Sequence, residues 1–162
     1  MSPHVRTQNA ELISLYENLI KTWNDQDASG MATLYAIQGG QVGFDGSQIR
    51  GPGEIESHLA PIFRDHPTQK FVYIIREVRL LGDEVGLVRA IAGMVPRNDT
   101  KLDPSKNVVQ TTLARKQKGK WKVELFQNTP AKFDGRPKEV EAMTKELQSV
   151  VEAQALSPRR AS

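Results

Sequence analysis

Apolar positions in the first part of the chain recur every three or four residues. Leu12, Leu15, Tyr16, Leu19, Ile20 and Trp23 fall on one stripe, the spacing of an amphipathic helix of about four turns. Asn24-Asp25-Gln26-Asp27 breaks that stripe. A short second helix follows, with Asp27 or Ser29 as its N-cap and Met31, Leu34 and Tyr35 turned inward. Gly39-Gly40 ends this unit. Gln41–Phe44 then reads as a short strand, Asp45-Gly46-Ser47 as a tight turn, and extended chain resumes near Ile49. Gly51-Pro52-Gly53-Glu54 puts a proline at the first helical position and an acid in the first turn. Ile55, Leu59, Ile62 and Phe63 form the buried stripe of this third helix, which His66-Pro67 stops.

From residue 69 the period shortens to two. Lys70–Leu81 and Glu84–Pro96 read as long strands joined at Gly82-Asp83, with a polar loop over Arg97–Lys106. Asn107–Gln117 and Lys120–Asn128 read as a second pair, turning at Lys118-Gly119. Long neighbours joined by tight turns predict a curved antiparallel sheet. After a linker holding Gly135 and Pro137, the stripe Val140, Met143, Leu147, Val150, Val151 marks a last helix, supported by the i,i+4 pair Glu141–Lys145. Early helices followed by a run of strands predict an α+β fold: a cone-shaped curved antiparallel sheet with three N-terminal helices on its concave side. The expected division is 1–8 as a flexible N-terminus, 9–130 as the cone domain, 131–156 as linker and added helix, and 157–162 as a disordered tail. The open end of such a cone is the natural pocket.

Composition narrows the chemistry. The chain has no cysteine, which removes disulfides, thiolate catalysis and sulfur-ligated zinc. No apolar run approaches the ~18 residues of a membrane helix, and the first residues carry no apolar signal core, so a cytoplasmic address is expected. The formal charge is only +3. Its densest basic stretch, Arg115, Lys116, Lys118, Lys120 and Lys122, has Trp121 as its one aromatic neighbour. Binders of single strands interleave stacking aromatics with their cations, so the stretch reads as a solvated strand-turn-strand surface and nucleic acid is not an expected partner. There is no G-x-G-x-x-G and no Walker motif, and no cofactor is expected.

Several motifs, in order, resemble the nuclear transport factor two-like superfamily, also called SnoaL-like or ketosteroid-isomerase-like. They are Trp23-Asn24-Asp25-Gln26-Asp27 followed by Met31-Ala32-Thr33-Leu34-Tyr35, then Ile49-Arg50-Gly51-Pro52-Gly53-Glu54-Ile55, then the closing run Gly119–Pro130. The last is most similar to the SgcJ/EcaC group. The resemblance covers about residues 9–130, and the C-terminal helix lies outside the common pattern. It implies the cone-shaped cystatin-like fold and a homodimer formed through the sheet. It does not fix an activity, since one fold carries many. The oxidoreductase label often given to the SgcJ/EcaC group has no cofactor motif behind it in this chain.

By order along the chain, Asp45 matches the general base of ketosteroid isomerase. Beside Phe44 at a pocket mouth, its carboxylate could have a raised pKa and take a proton next to a carbonyl; alternatively Asp45-Gly46 is turn chemistry alone. The isomerase's oxyanion tyrosine falls on Leu19, with Tyr16 nearly a turn earlier, so the steroid-type pairing is not reproduced. Arg89 sits inside a strand with Val85, Leu87 and Ile91 on its face. An arginine among apolar neighbours needs a partner: a ligand carboxylate, phenolate or enolate, an ion pair with Asp45 or Glu77, or a dimer surface. His58 and Glu54 are an i,i+4 pair on the third helix, either an acid–base dyad, two metal ligands, or a solvent-facing pair; without a third ligand no metal is expected. Gln110, Gln127 and Asn128 are uncharged polar residues in apolar strands and could meet a ligand. Trp23, Tyr35 and Phe44 are core or pocket wall. The expected activity is binding of a small apolar or aromatic molecule, polyketide-like or steroid-like. If it is catalytic, the reaction is a cofactor-free isomerase or cyclase step with Asp45 or His58 as base and Arg89 or Tyr35 steadying negative charge. The alternative is a non-catalytic binding or dimerisation module.

Overall fold

Ser2 accepts a hydrogen bond from the Val5 N–H, and Pro3 occupies the first turn. These two residues start helix α1 (Pro3–Asn24) well before the apolar stripe. The segment expected to be flexible is therefore helical from Pro3 onward, and its Gln8 is buried, accepting from Trp121 Nε1 (3.0 Å) and Lys116 Nζ (3.1 Å). In this computed structural model residues 1–156 are described, and the expected disordered tail at 157–162 lies outside them. Asp27 caps α2 (Ala28–Ala32) by accepting from the Gly30 N–H at 2.9 Å. Tyr35 opens strand β1 (Tyr35–Val42) instead of ending a helix, and a three-residue β2 (Gln48–Arg50) leads into α3 (Gly51–Asp65). The long strands are β3 (Lys70–Leu80), β4 (Val85–Val95), β5 (Asp103–Gln117) and β6 (Lys120–Pro130), and α4 (Pro137–Leu156) follows.

The six strands form one sheet in the order β2-β1-β6-β5-β4-β3. All pairs are antiparallel except β1–β6, which is parallel. The wholly antiparallel expectation is corrected at that pair: β1 lies between β2 and the last strand, and it runs parallel to the latter. Irregular register interrupts four of the five pairings, and such bulges bend and twist a sheet. The result is the α+β arrangement expected, a curved, unclosed sheet.

The concave face holds the main core. Leu12, Tyr16 and Leu19 of α1, Met31 of α2, and Ile55 and Leu59 of α3 pack on Val88, Ala90, Ala114 and Val123. Gly86 permits the close approach of α1, because a Cβ there would lie 2.5 Å from Leu12 Cδ1. The opposite face is divided. At one end, Met143, Leu147 and Val151 of α4 cover Val72, Val95 and Leu102. Elsewhere Leu87, Leu113 and Leu125 stand opposite one another across three strands, half-buried, and Ile37 of β1 is 79% exposed. Among the described residues no helix is long and apolar enough to cross a membrane.

Candidate functional site

The end of α1 anchors one wall of a hollow in the concave face. Trp23 Nε1 donates to the Gln69 carbonyl (2.9 Å), and Asn24 pairs with both backbone groups of Phe71 (2.7 and 3.0 Å). Gln26, in the left-handed region at φ 54°, donates to the His66 carbonyl at 2.6 Å. Arg97 closes the clamp by donating to the carbonyls of Thr68 (2.7 Å) and Asn24 (2.8 Å). The segment from His66 to Phe71 is thus fixed to α1 by side chains rather than by a ladder. The wall it makes faces the turn that joins β1 to β2.

Between them lies a cavity of about 440 Å³. Its interior is apolar: Leu19, Ile20, Trp23, Met31, Leu59, Ile62, Phe71, Met94 and Phe126. Polar groups reach it from Gln41, Ser47, Thr68, Gln69, Lys106 and Asn128. The exposed members Phe44, Asp45, His58 and Pro67 mark the rim. Two polar atoms of its residues, Thr68 Oγ1 and Gln69 Oε1, are buried without a hydrogen-bond partner.

Of the residues singled out from sequence, Trp23, Phe44, Asp45, His58 and Asn128 meet around this cavity. Asp45, however, is engaged in its own turn. Its Oδ1 accepts from the Ser47 N–H at 2.9 Å, and hydrogen bonds from Ser47, aided by the charge of nearby His58, hold its carboxyl below the usual range. The raised pKa expected of a general base is the reverse of what this turn produces. His58 and Glu54 are both exposed, and only His58 borders the cavity. No three of the acidic or histidine side chains among the described residues cluster in a way that could hold a metal ion.

The other candidates stand elsewhere. Arg89 shares its face with Leu87 and Ile91 as the alternation requires, but that face is the outer one. There it is exposed, opposite Glu77 in register, with the sheet between it and the cavity. Gln127 is likewise exposed, opposite Thr111 on β5. Tyr35 is buried behind the wall and donates to Gln41 Oε1 (2.9 Å); burial pushes its phenol pKa up. Gln110 has no exposed surface. It accepts from Tyr16 OH (2.6 Å) and donates to Asn128 Oδ1 (3.0 Å), and Asn128 donates on to the Val42 carbonyl (3.1 Å). Gln110 therefore supports the wall through Asn128 without reaching the cavity. Tyr16 is held neutral far past the ordinary phenol range by burial first, then by Tyr73 and Glu17.

Sequence reasoning missed Gln41, Gln69, Met94 and Lys106. The signal for Lys106 was present: β5 begins at Asp103, and Lys106, Val108, Gln110 and Thr112 alternate onto one face. Reading residues 97–106 as a loop hid it. An irregularity between Ala92 and Met94 lets Met94 pair with Asp103 and lengthens the strand.

No family model matches the chain, and no curated protein matches it. Solved structures do share its fold. A domain of unknown function with a cystatin-like fold from Nostoc punctiforme PCC 73102 is 16% identical, with 93% of this chain and 99% of that one covered at a TM-score of 0.73. A ketosteroid isomerase-like protein from Erwinia carotovora atroseptica is 16% identical, covering 76% and 96% at a TM-score of 0.61. A protein of the NTF2-like family from Streptomyces avermitilis, provisionally named a dehydratase, is 16% identical, covering 78% and 98% at 0.62. The chain therefore has the cystatin-like fold that these NTF2-like and ketosteroid isomerase-like structures share, with a cavity at the concave face. At these identities the likeness is one of fold alone.

Proposed function

We propose that the protein binds one small apolar or aromatic molecule in the concave-face cavity, as a homodimer paired through the open part of its outer face. Within the superfamily, the closing run Gly119–Pro130 favours the SgcJ/EcaC group. The observation that carries the binding reading is the cavity itself: about 440 Å³ left open where α1, α3 and the sheet meet, apolar inside and polar at one side. Sites for small organic ligands have this size and this distribution. The dimer reading rests on the row Leu87–Leu113–Leu125 and the exposed Ile37, an apolar strip of the kind that marks association surfaces.

Binding is favoured over acid–base catalysis by the state of the expected machinery. The Asp45 carboxylate is occupied by Ser47, the Tyr35 phenol by Gln41, and Arg89 is across the sheet. The test is native mass spectrometry of the protein purified from its own host. The expected spectrum is a dimer carrying one small molecule per protomer, with Met94→Trp keeping the dimer and losing the added mass. A ligand-free protein, or unchanged retention in Met94→Trp, contradicts the binding reading; a monomer contradicts the dimer.

A further inference from the structure

Lys106 enters the cavity wall from β5, half-buried, with its Nζ 5.4 Å from the centre of the Phe44 ring. Among the described residues no carboxylate oxygen lies within 4.0 Å of that ammonium. Asp103, the acid that feels its charge, is otherwise engaged. One of its oxygens accepts from the Ser105 N–H (3.1 Å) and Oγ (2.6 Å), the other from Gln69 Nε2 (3.3 Å). Asp45 at the rim is turned onto Ser47. A cation drawn partly out of water needs compensation, and a ring face supplies only part of it.

From this we infer that the natural ligand is an amphiphilic monoanion, an apolar ring-containing body with one carboxylate or similar oxyanion, and that Lys106 receives the charged end. The inference rests on the cavity being the binding site. Only one charge is called for. Among the described residues Lys106 and His58 are the only basic ones on the cavity, and His58 already lies close enough to Asp45 to act on its carboxyl. The rest of the lining is apolar (Leu19, Ile20, Met31, Leu59 and Phe126 among it) or uncharged (Gln41, Ser47, Thr68, Gln69 and Asn128) and supplies no second cation. A dicarboxylate would bring in a second carboxylate with no second free cation to meet it.

A pair of fluorescent probes isolates the charge: 1-anilinonaphthalene-8-sulfonate, and N-phenyl-1-naphthylamine, which is the same body without the sulfonate. Each is titrated against the full chain, Lys106→Gln and Met94→Trp. The expected result is about a tenfold weaker affinity of Lys106→Gln for the sulfonate, the scale of a lost charge-assisted contact. Its affinity for the neutral amine should stay within about twofold, which also shows that the variant is folded. Met94→Trp should lose both probes. Unchanged sulfonate affinity in Lys106→Gln, or an equal loss for both probes, overturns the role of Lys106 while leaving the cavity reading intact. Failure of both probes to bind, or indifference of both to Met94→Trp, overturns the cavity reading and this inference with it.

Discussion

Gln110 is held by hydrogen bonds at both atoms of its amide. It is fully buried, takes a hydrogen bond from Tyr16 and passes one to Asn128 at the cavity wall. Removing the Tyr16 hydroxyl would leave the Gln110 oxygen buried and unpaired, a loss of about 1–3 kcal/mol. Urea unfolding of Tyr16→Phe at neutral pH should register that loss as a lower midpoint with the slope unchanged. Alkali should give a second signature. Burial raises the Tyr16 pKa, so from about pH 10 the unfolded chain releases a proton that the folded chain keeps. The stabilisation is complete below that pH and declines as pH rises toward the folded value; Tyr35 acts in the same direction. Tyr16→Phe should therefore lose stability less steeply above pH 10 than the parent. At this scale the sequence was partly legible. Gln110 and Asn128 stand out as polar residues in apolar strands, yet only contact order in space decides that Asn128 faces the cavity and Gln110 stands behind it. Arg89 illustrates the same limit: alternation assigns its companions, but not which side of the sheet the helices choose.

Among the elements, the end of α1 does more than stop a helix. Trp23, Asn24 and Gln26 each bond backbone groups between His66 and Phe71, forty or more residues away in sequence. That segment contains Pro67 and runs into an edge strand, so it has few ladder bonds of its own. Asn24→Ala would strip the Phe71 N–H of its partner and is expected to cost about 1–3 kcal/mol. Hydrogen exchange should show faster exchange at Phe71 first, while Val88 and Ala90 in the middle of β4 keep their protection. If Phe71 and those central amides accelerate together, the clamp is not a local device. Long amphipathic helices and β-rich runs were readable because their period persists over many turns. The starts of α1 and β5 were not. Ser2 and Pro3 give a start signal without an apolar stripe, and Asp103–Lys106 looks like loop composition until the pairing of Met94 with Asp103 is known.

Across the whole molecule, one curved sheet separates two apolar environments with different fates. The concave side is roofed by α1, α2 and α3 but not filled, and the outer side is capped by α4 at one end and open at the other. The Nostoc structure covers 93% of this chain, more than it could without part of the 20-residue α4, whereas the Erwinia and Streptomyces structures cover 76% and 78%. Element order was enough to anticipate the fold; the parallel β1–β6 pair and the location of the hollow depend on how distant strands meet. The central claim is that small apolar molecules enter the concave side. Methyl NMR during titration with N-phenyl-1-naphthylamine tests it most directly. The methyl signals of Leu19, Ile20, Leu59 and Ile62 should shift together and saturate at one equivalent per protomer, while those of Leu87, Leu113 and Leu125 stay in place. Shifts confined to the outer-face leucines, or none at all, would contradict the account.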